Sequence, residues 1–239
     1  MSLERIKLWD LPTRLFHWLL VILIIAAYVT GKIGGGAIDW HGRIGILILG
    51  LIVFRVVWGF IGSHHSRFSS FFPTPATVRA YLRGQWHGIG HNPLGAFSVL
   101  ALLSLISLQV ATGLFGNDDI AFNGPLSSLL NKELSDKLTG LHKLSINALI
   151  VLIVLHLGAI AFYAFVKRDN LVKPMITGWK DVQSEKNGER ESAKAKHGGA
   201  MAVIAALLIA FAAMYGGSGA WRPAPLPAPA TASSTPSAW

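Results

Sequence analysis

The chain contains no cysteine. Disulfides, iron–sulfur clusters, thiolate metal sites and covalent haem attachment through a Cys-x-x-Cys-His motif are therefore excluded. Charge is also scarce: 14% of the 239 residues are Asp, Glu, Lys or Arg, against 52% hydrophobic, and only 12 are acidic. A soluble domain of this length seldom has so little charge and so high a mean hydropathy, which makes the bilayer the expected environment. Met1 to Arg14 lacks the short apolar stretch and small-residue cleavage site of a secretory signal and predicts an uncleaved first helix. Neither a His-Glu-x-x-His motif nor a carboxylate cluster offers a zinc site, and there is no internal repeat.

What is present is a series of long apolar runs. Four are clear, at 15–30, 44–62, 94–115 and 144–166, each close to the roughly 20 residues that cross a hydrocarbon core. A fifth, 199–215, is shorter and richer in alanine but still long enough to cross. The expected fold class is an all-α integral membrane protein, a four-helix transmembrane bundle with a fifth transmembrane helix. Residues 1–180 form the core, 181–198 a basic cytoplasmic linker, 199–216 the fifth helix and 217–239 a Pro/Ala-rich periplasmic tail. That tail is expected to be extended or disordered. A short surface helix is expected over Thr77–Arg83, and a small outward-facing cap over Gly116–Gly140.

The formal charge of +9 raises nucleic acid or anionic lipid as partners, and the position of the basic residues decides between them. They flank the apolar runs, which points to the lipid bilayer and not to nucleic acid. With the N-terminus on the cytoplasmic side, fourteen fall inside: Arg5, Lys7, Arg14, Arg67, Arg79, Arg83 and eight from Lys167 to Lys196. Six fall outside: Lys32, Arg43, Lys132, Lys137, Lys143 and Arg222. Retention of Lys and Arg on the cytoplasmic face therefore orients the chain, with the C-terminal tail in the periplasm.

Histidines inside membrane helices are costly and mark function by default, although they also serve as interhelical hydrogen-bonding residues. Four qualify. His17 lies near the inner start of the first helix, His41 at the outer start of the second, His142 at the outer start of the fourth and His156 deep within it. Fourteen residues at about 100° each bring His156 to within roughly 40° of the direction of His142, about 21 Å along the axis. One helix face thus shows a histidine toward each membrane surface. The charge-derived orientation supplies a partner at each depth, giving His41 with His142 on the outer side and His17 with His156 on the inner side. Two imidazoles on opposing helices suit axial ligation of a low-spin haem iron, so two non-covalently bound b-type haems follow.

Other residues admit two readings. Gly42, Gly45, Gly50, Gly113 and Gly140 let either a porphyrin face or a neighbouring helix approach the backbone. Arg14 and Arg43, each near a histidine, are possible haem propionate contacts or interfacial anchors. Arg55, well inside the second helix, needs a partner, either an inner-haem propionate or phosphate headgroups. His64 and His65 sit in a basic aromatic loop as quinone or propionate contacts or as part of an anchor. His87, His91 and His197 are expected to be solvated, and Trp9, Trp18, Trp40, Trp58 and Trp179 to form an aromatic belt.

A signature runs through these positions: Trp9-Asp10-Leu11-Pro12-Thr13-Arg14-Leu15-Phe16-His17-Trp18, then His41-Gly42-Arg43, Arg55-Val56-Val57-Trp58-Gly59, Ser66-Arg67-Phe68, Gly140-Leu141-His142-Lys143 and His156. It resembles the prokaryotic cytochrome b561 family, which includes the b-type cytochrome subunits of membrane nickel–iron hydrogenases, over about residues 5–180. The resemblance implies a four-helix di-haem core with His17, His41, His142 and His156 as axial ligands. It also implies electron exchange between quinone and a periplasmic partner at the cytoplasmic (inner) membrane. That partner is a c-type cytochrome, a hydrogenase-like enzyme or a molybdenum oxidoreductase, with the c-type cytochrome as first choice. Two other classes stay open: a superoxide:quinone oxidoreductase, and a haem-containing membrane anchor subunit of a peripheral oxidoreductase.

Overall fold

Asp10 starts the first membrane helix. Its carboxylate accepts the Thr13 amide at 2.8 Å and Pro12 occupies the first turn, so helix α1 spans Leu11–Ile33 and stops at Gly34, which has φ 65. The computed structural model describes residues 3–120, 122–183 and 198–223. A 3-10 turn over Gly35–Ala37 leads into α2 (Ile38–Ile61). Two short helices follow, α3 (Phe68–Phe71) and α4 (Pro75–Leu82). Then come α5 (Pro93–Leu114), α6 (Lys132–Phe165), α7 (Val172–Thr177) and α8 (Ala200–Ser218). Five of these, α1, α2, α5, α6 and α8, are long and apolar enough to cross a membrane. The protein is an all-α, multi-pass membrane protein, as its apolar runs predict.

Differences lie at the helix ends. The apolar run predicts α6 from Leu144, but Asn131 caps it twelve residues earlier by accepting the Leu134 amide at 2.9 Å. Thirty-four residues rise about 51 Å, well beyond a hydrocarbon core of about 30 Å. The first turns therefore stand outside, where Lys132–Asp136 and Lys137–Glu133 form i,i+4 ion pairs. With the loop after α5, they form a polar cap at this end of the bundle. Helix α4 starts two residues ahead of the expected Thr77 because Thr74 and Thr77 form a reciprocal capping box.

Helix α2 is the hub. It packs against α1, α5 and α8, and α5 packs against α6. Among the described residues α6 packs closely against neither α1 nor α2, leaving a seam between them. Toward α8, α2 presents Gly50, where a Cβ would lie 2.4 Å from the Met214 sulfur, and α8 presents Gly217 to Leu49. Small residues at such crossings are how membrane helices come close, so Gly50 serves helix packing.

Two strands that the apolar pattern does not reveal close the amino-terminal end. β1 (Leu3–Lys7) pairs antiparallel with β2 (Trp179–Gln183), Lys7 opposite Trp179. The pairing carries ordered chain past residue 180, while residues 184–197 of the linker, His197 among them, and 224–239 of the tail lie outside the described residues. Leu8 and Trp9 amides both donate to the Gly178 carbonyl, at 2.9 and 3.2 Å.

Beneath the strands lies a buried polar knot. Asp10 Oδ2 accepts from Trp58 Nε1 at 3.0 Å and from Ser66 Oγ at 3.2 Å. With its proton committed to Asp10, Ser66 Oγ accepts from the hydroxyls of Thr13 at 2.7 Å and Ser63 at 2.9 Å. Trp58 is 1% exposed and Trp9 6%, so these two belong to the core and not to an interfacial belt. Replacing Asp10 with Ala removes a helix cap and orphans two buried donors. The expected loss is about 2–4 kcal/mol, measured by reversible unfolding in detergent, with a smaller loss for Asp10→Asn.

Candidate functional site

His41 and His142 meet across the seam between α2 and α6, with ring centroids 5.9 Å apart and planes at 87°. Each ring is held by a backbone carbonyl on a third helix: His41 Nδ1 lies 2.8 Å from Ala27 O on α1, and His142 Nδ1 2.9 Å from Gln109 O on α5. A carbonyl has no proton to give, so both Nδ1 atoms donate and both Nε2 atoms keep a free lone pair. This arrangement prepares imidazoles for a metal. Two metal–nitrogen bonds of about 2 Å would set the ring centroids about 6 Å apart, close to the spacing seen.

Glycines make room for both rings. A Cβ at Gly31 would lie 2.9 Å from His41 Nδ1, and one at Gly113 3.0 Å from His142 Cε1. Gly113 therefore serves a histidine, Gly42 faces Phe122, and a Cβ at Gly45 or Gly140 would meet open space. Gln109 also clamps α6 with its side chain, whose Nε2 donates to the His142 carbonyl at 3.1 Å and whose Oε1 accepts from Ser145 Oγ. A lone Gln within the apolar α5 run was the available signal for this role, but only the fold shows which carbonyl faces the ring.

The second pair lies toward the amino-terminal end. It is formed by His17 on α1 and His156 on α6, close enough for a charge on one ring to bear on the other. Ser98 Oγ on α5 stands 3.4 Å from His156 Nδ1, and His17 Nδ1 is buried without a partner. Among the described residues no group of three or more His, Cys, Asp or Glu is placed to hold a metal ion. Two imidazoles alone do not complete a bare ion. They do suit an iron whose other four ligands belong to a macrocycle, so the residues fit haem.

The arginines fall in three settings. Arg55 is 3% exposed, lies 4.9 Å from the Phe68 ring, feels the Asp10 carboxylate and keeps Nη1 without a partner. Arg14 donates from Nη1 to the Ile176 carbonyl at 3.0 Å, and its buried Nε has no partner. Arg43 is exposed and stacks over Trp40 on its own helix at 5.1 Å.

Loop residues 63–92 enclose a cavity of about 130 Å³ beside the His17–His156 end, lined by His64, His65, His91, Phe71 and Trp86 among others. His91, expected in solvent, instead tucks its Nδ1 out of reach of water between Trp9 and Phe71, with ring centroids at 4.7 and 4.6 Å. Burial first, then Arg55, His65 and His156, pushes its pKa down to about 3, so it is neutral at physiological pH. His87 is exposed, as expected.

Comparison with known proteins bears on the same residues. The family described as prokaryotic cytochrome b561 matches residues 8–178. A probable Ni/Fe-hydrogenase B-type cytochrome subunit of Azotobacter vinelandii is 24% identical over 221 residues, covering 76% of this chain and 90% of the relative. A protein of the same description from Cupriavidus necator is 24% identical over 219 residues, covering 75% and 88%. A probable Ni/Fe-hydrogenase 1 B-type cytochrome subunit of Escherichia coli is 23% identical over 136 residues, covering 44% and 57%. No solved structure matches. The matched span runs from the segment that leads into α1 to the end of α7 and takes in all four paired histidines, and the chain belongs to the prokaryotic cytochrome b561 family, as a multi-pass membrane b-type cytochrome that transfers electrons.

Proposed function

We propose that the protein is a di-haem cytochrome of the bacterial cytoplasmic membrane that passes single electrons between the quinone pool and a periplasmic redox protein. The observation that carries this reading is the His41–His142 pair, whose rings stand 5.9 Å apart with each Nδ1 donating to a carbonyl and each Nε2 free. The inner pair, His17 with His156, rests on the fourteen-residue interval that separates His156 from His142 along α6. Haem supplies an iron that accepts and releases one electron at a time.

The chain's own residues do the rest. Ala27, Gln109 and Ser98 orient imidazoles, and Gly31 and Gly113 let the rings lie against the backbone. The unpartnered nitrogens of Arg55 and Arg14 support contacts to propionates of the inner haem, and Arg43 beside His41 is assigned to the outer one. Oxidation of a quinol releases two electrons and two protons. The cavity lined by His64, His65 and His91 supports a quinone site, with the His64 and His65 imidazoles to take up the protons and the neutral His91 as part of its wall. The relatives' names attach them to Ni/Fe hydrogenases, so a hydrogenase-like enzyme stands beside a c-type cytochrome as the periplasmic partner.

Haem quantification and reduced-minus-oxidised spectra test the ligand set. The intact protein should hold two haems per chain; His41→Ala and His142→Ala should lose the same one, and His17→Ala and His156→Ala the other. Loss of one common haem from His17→Ala and His142→Ala would refute the pairing. Gly113→Ala would stabilise an ordinary helix by about 0.5–1 kcal/mol. Here it should instead lower the haem-to-protein ratio, because its methyl displaces the His142 ring. In stopped-flow mixing with a quinol analogue, His65→Ala should slow haem reduction about 100-fold, the low end of what general bases contribute.

A further inference from the structure

The groove between α4 and α5 is outside the haem-binding residues and carries a distinct chemistry. It encloses about 590 Å³ and is lined by Val78, Arg79, Leu82, Arg83 and Phe97, with two prolines at its rim. The floor is apolar and the lip is cationic. Phe97 lies in the first turns of a membrane-spanning helix, so the groove opens at the level where headgroups meet acyl chains.

Charge at this lip is uncompensated. Arg79 in the last turn of α4 and Arg83 at its C-cap are both exposed, stand one turn apart, and are absent from the ion pairs among the described residues. No acidic residue occurs in the sequence between Asp39 and Asp118. Like charges at i,i+4 destabilise a helix, and an eight-residue helix has little stability of its own. An anion bridging the two guanidiniums removes that repulsion. Beside them Leu82 is 72% exposed and Phe97 48%, apolar surface that an acyl chain would cover and a free phosphate would not.

We propose that this groove binds an anionic phospholipid, its phosphate on Arg79 and Arg83 and an acyl chain along Val78, Leu82 and Phe97. The site is coupled to the electron-transfer core. Tyr81 of α4 hydrogen-bonds Tyr163 of α6, which also accepts from Asn92 Nδ2 at 2.6 Å. Tyr163 lies two turns from His156 on the same face of α6. A lipid seated on α4 thus steadies the end of the helix that presents His156.

Native mass spectrometry of the full-length protein in detergent, titrated with dioleoylphosphatidylglycerol or dioleoylphosphatidylcholine, tests the proposal. Phosphatidylglycerol should bind more tightly, and Arg79→Gln and Arg83→Gln should each weaken it about five-fold, and together about 25-fold, the equivalent of about 1 kcal/mol per basic residue. Phosphatidylcholine binding should not change. The double replacement by Lys should keep most of the affinity, and Lys137→Gln, the same charge change at the opposite end, should leave it unaltered. Phosphatidylglycerol should also raise the melting temperature of the parent and not of the double Gln variant. Equal binding of the two lipids, indifference to both arginines, or displacement of phosphatidylglycerol by millimolar inorganic phosphate would overturn it. Intact haem spectra in the double Gln variant would keep this result separate from the ligand assignments.

Discussion

A histidine among apolar helices has two ring nitrogens and no water to satisfy either. The bonds from His41 Nδ1 to Ala27 O and from His142 Nδ1 to Gln109 O resolve half of that problem and create the other half. Each commits one nitrogen to the protein and leaves the other's lone pair unclaimed, on rings that meet across the seam beside α6. The acceptors are main-chain carbonyls that already serve their own helices, so the rings are fixed by the bundle's packing as much as by their own rotamers. Displacing α1 against α2, or α5 against α6, would rotate an imidazole before it disturbed the apolar core.

That dependence explains the division of labour among the helices. α2 contacts α1, α5 and α8 and gives the core more buried side chains than any other helix, including Ile44, Ile48, Ile52 and Trp58. α6 carries His142 and His156 but is anchored chiefly through α5, by Gln109 to Ser145 and to the His142 carbonyl. The fifth crossing, α8, docks on the far side of α2 through Gly50 and Gly217, away from the paired histidines. It buttresses the hub and leaves the seam alone.

Much of this was legible in the residues. Five apolar runs name five crossings, and the interval from His142 to His156 puts one histidine toward each surface of a single helix. What was hidden followed from the same physics. The first turns of α6 are polar because they extend beyond the hydrocarbon core, so hydropathy cannot see them. Gly113 and Gly31 read as packing glycines until the fold lays a ring against each. His91 looks solvated in a Gly-rich loop, yet three aromatic and imidazole neighbours distant in sequence close over it. Strands of five residues, one at each end of the core, leave no periodic signal strong enough to pair them across the chain.

The pairing of Lys7 with Trp179 has a consequence for biosynthesis. Roughly 170 residues separate the two strands, and at 5–20 residues per second a ribosome needs about ten to thirty seconds to make them. Throughout that interval β1 has no partner, and the segment that receives Leu8, Trp9 and Arg14 has not been synthesised. The amino terminus therefore waits at the membrane surface while four helices are inserted behind it. Closure onto β2 can come only after α6 and α7 have been made, an order set by the chain.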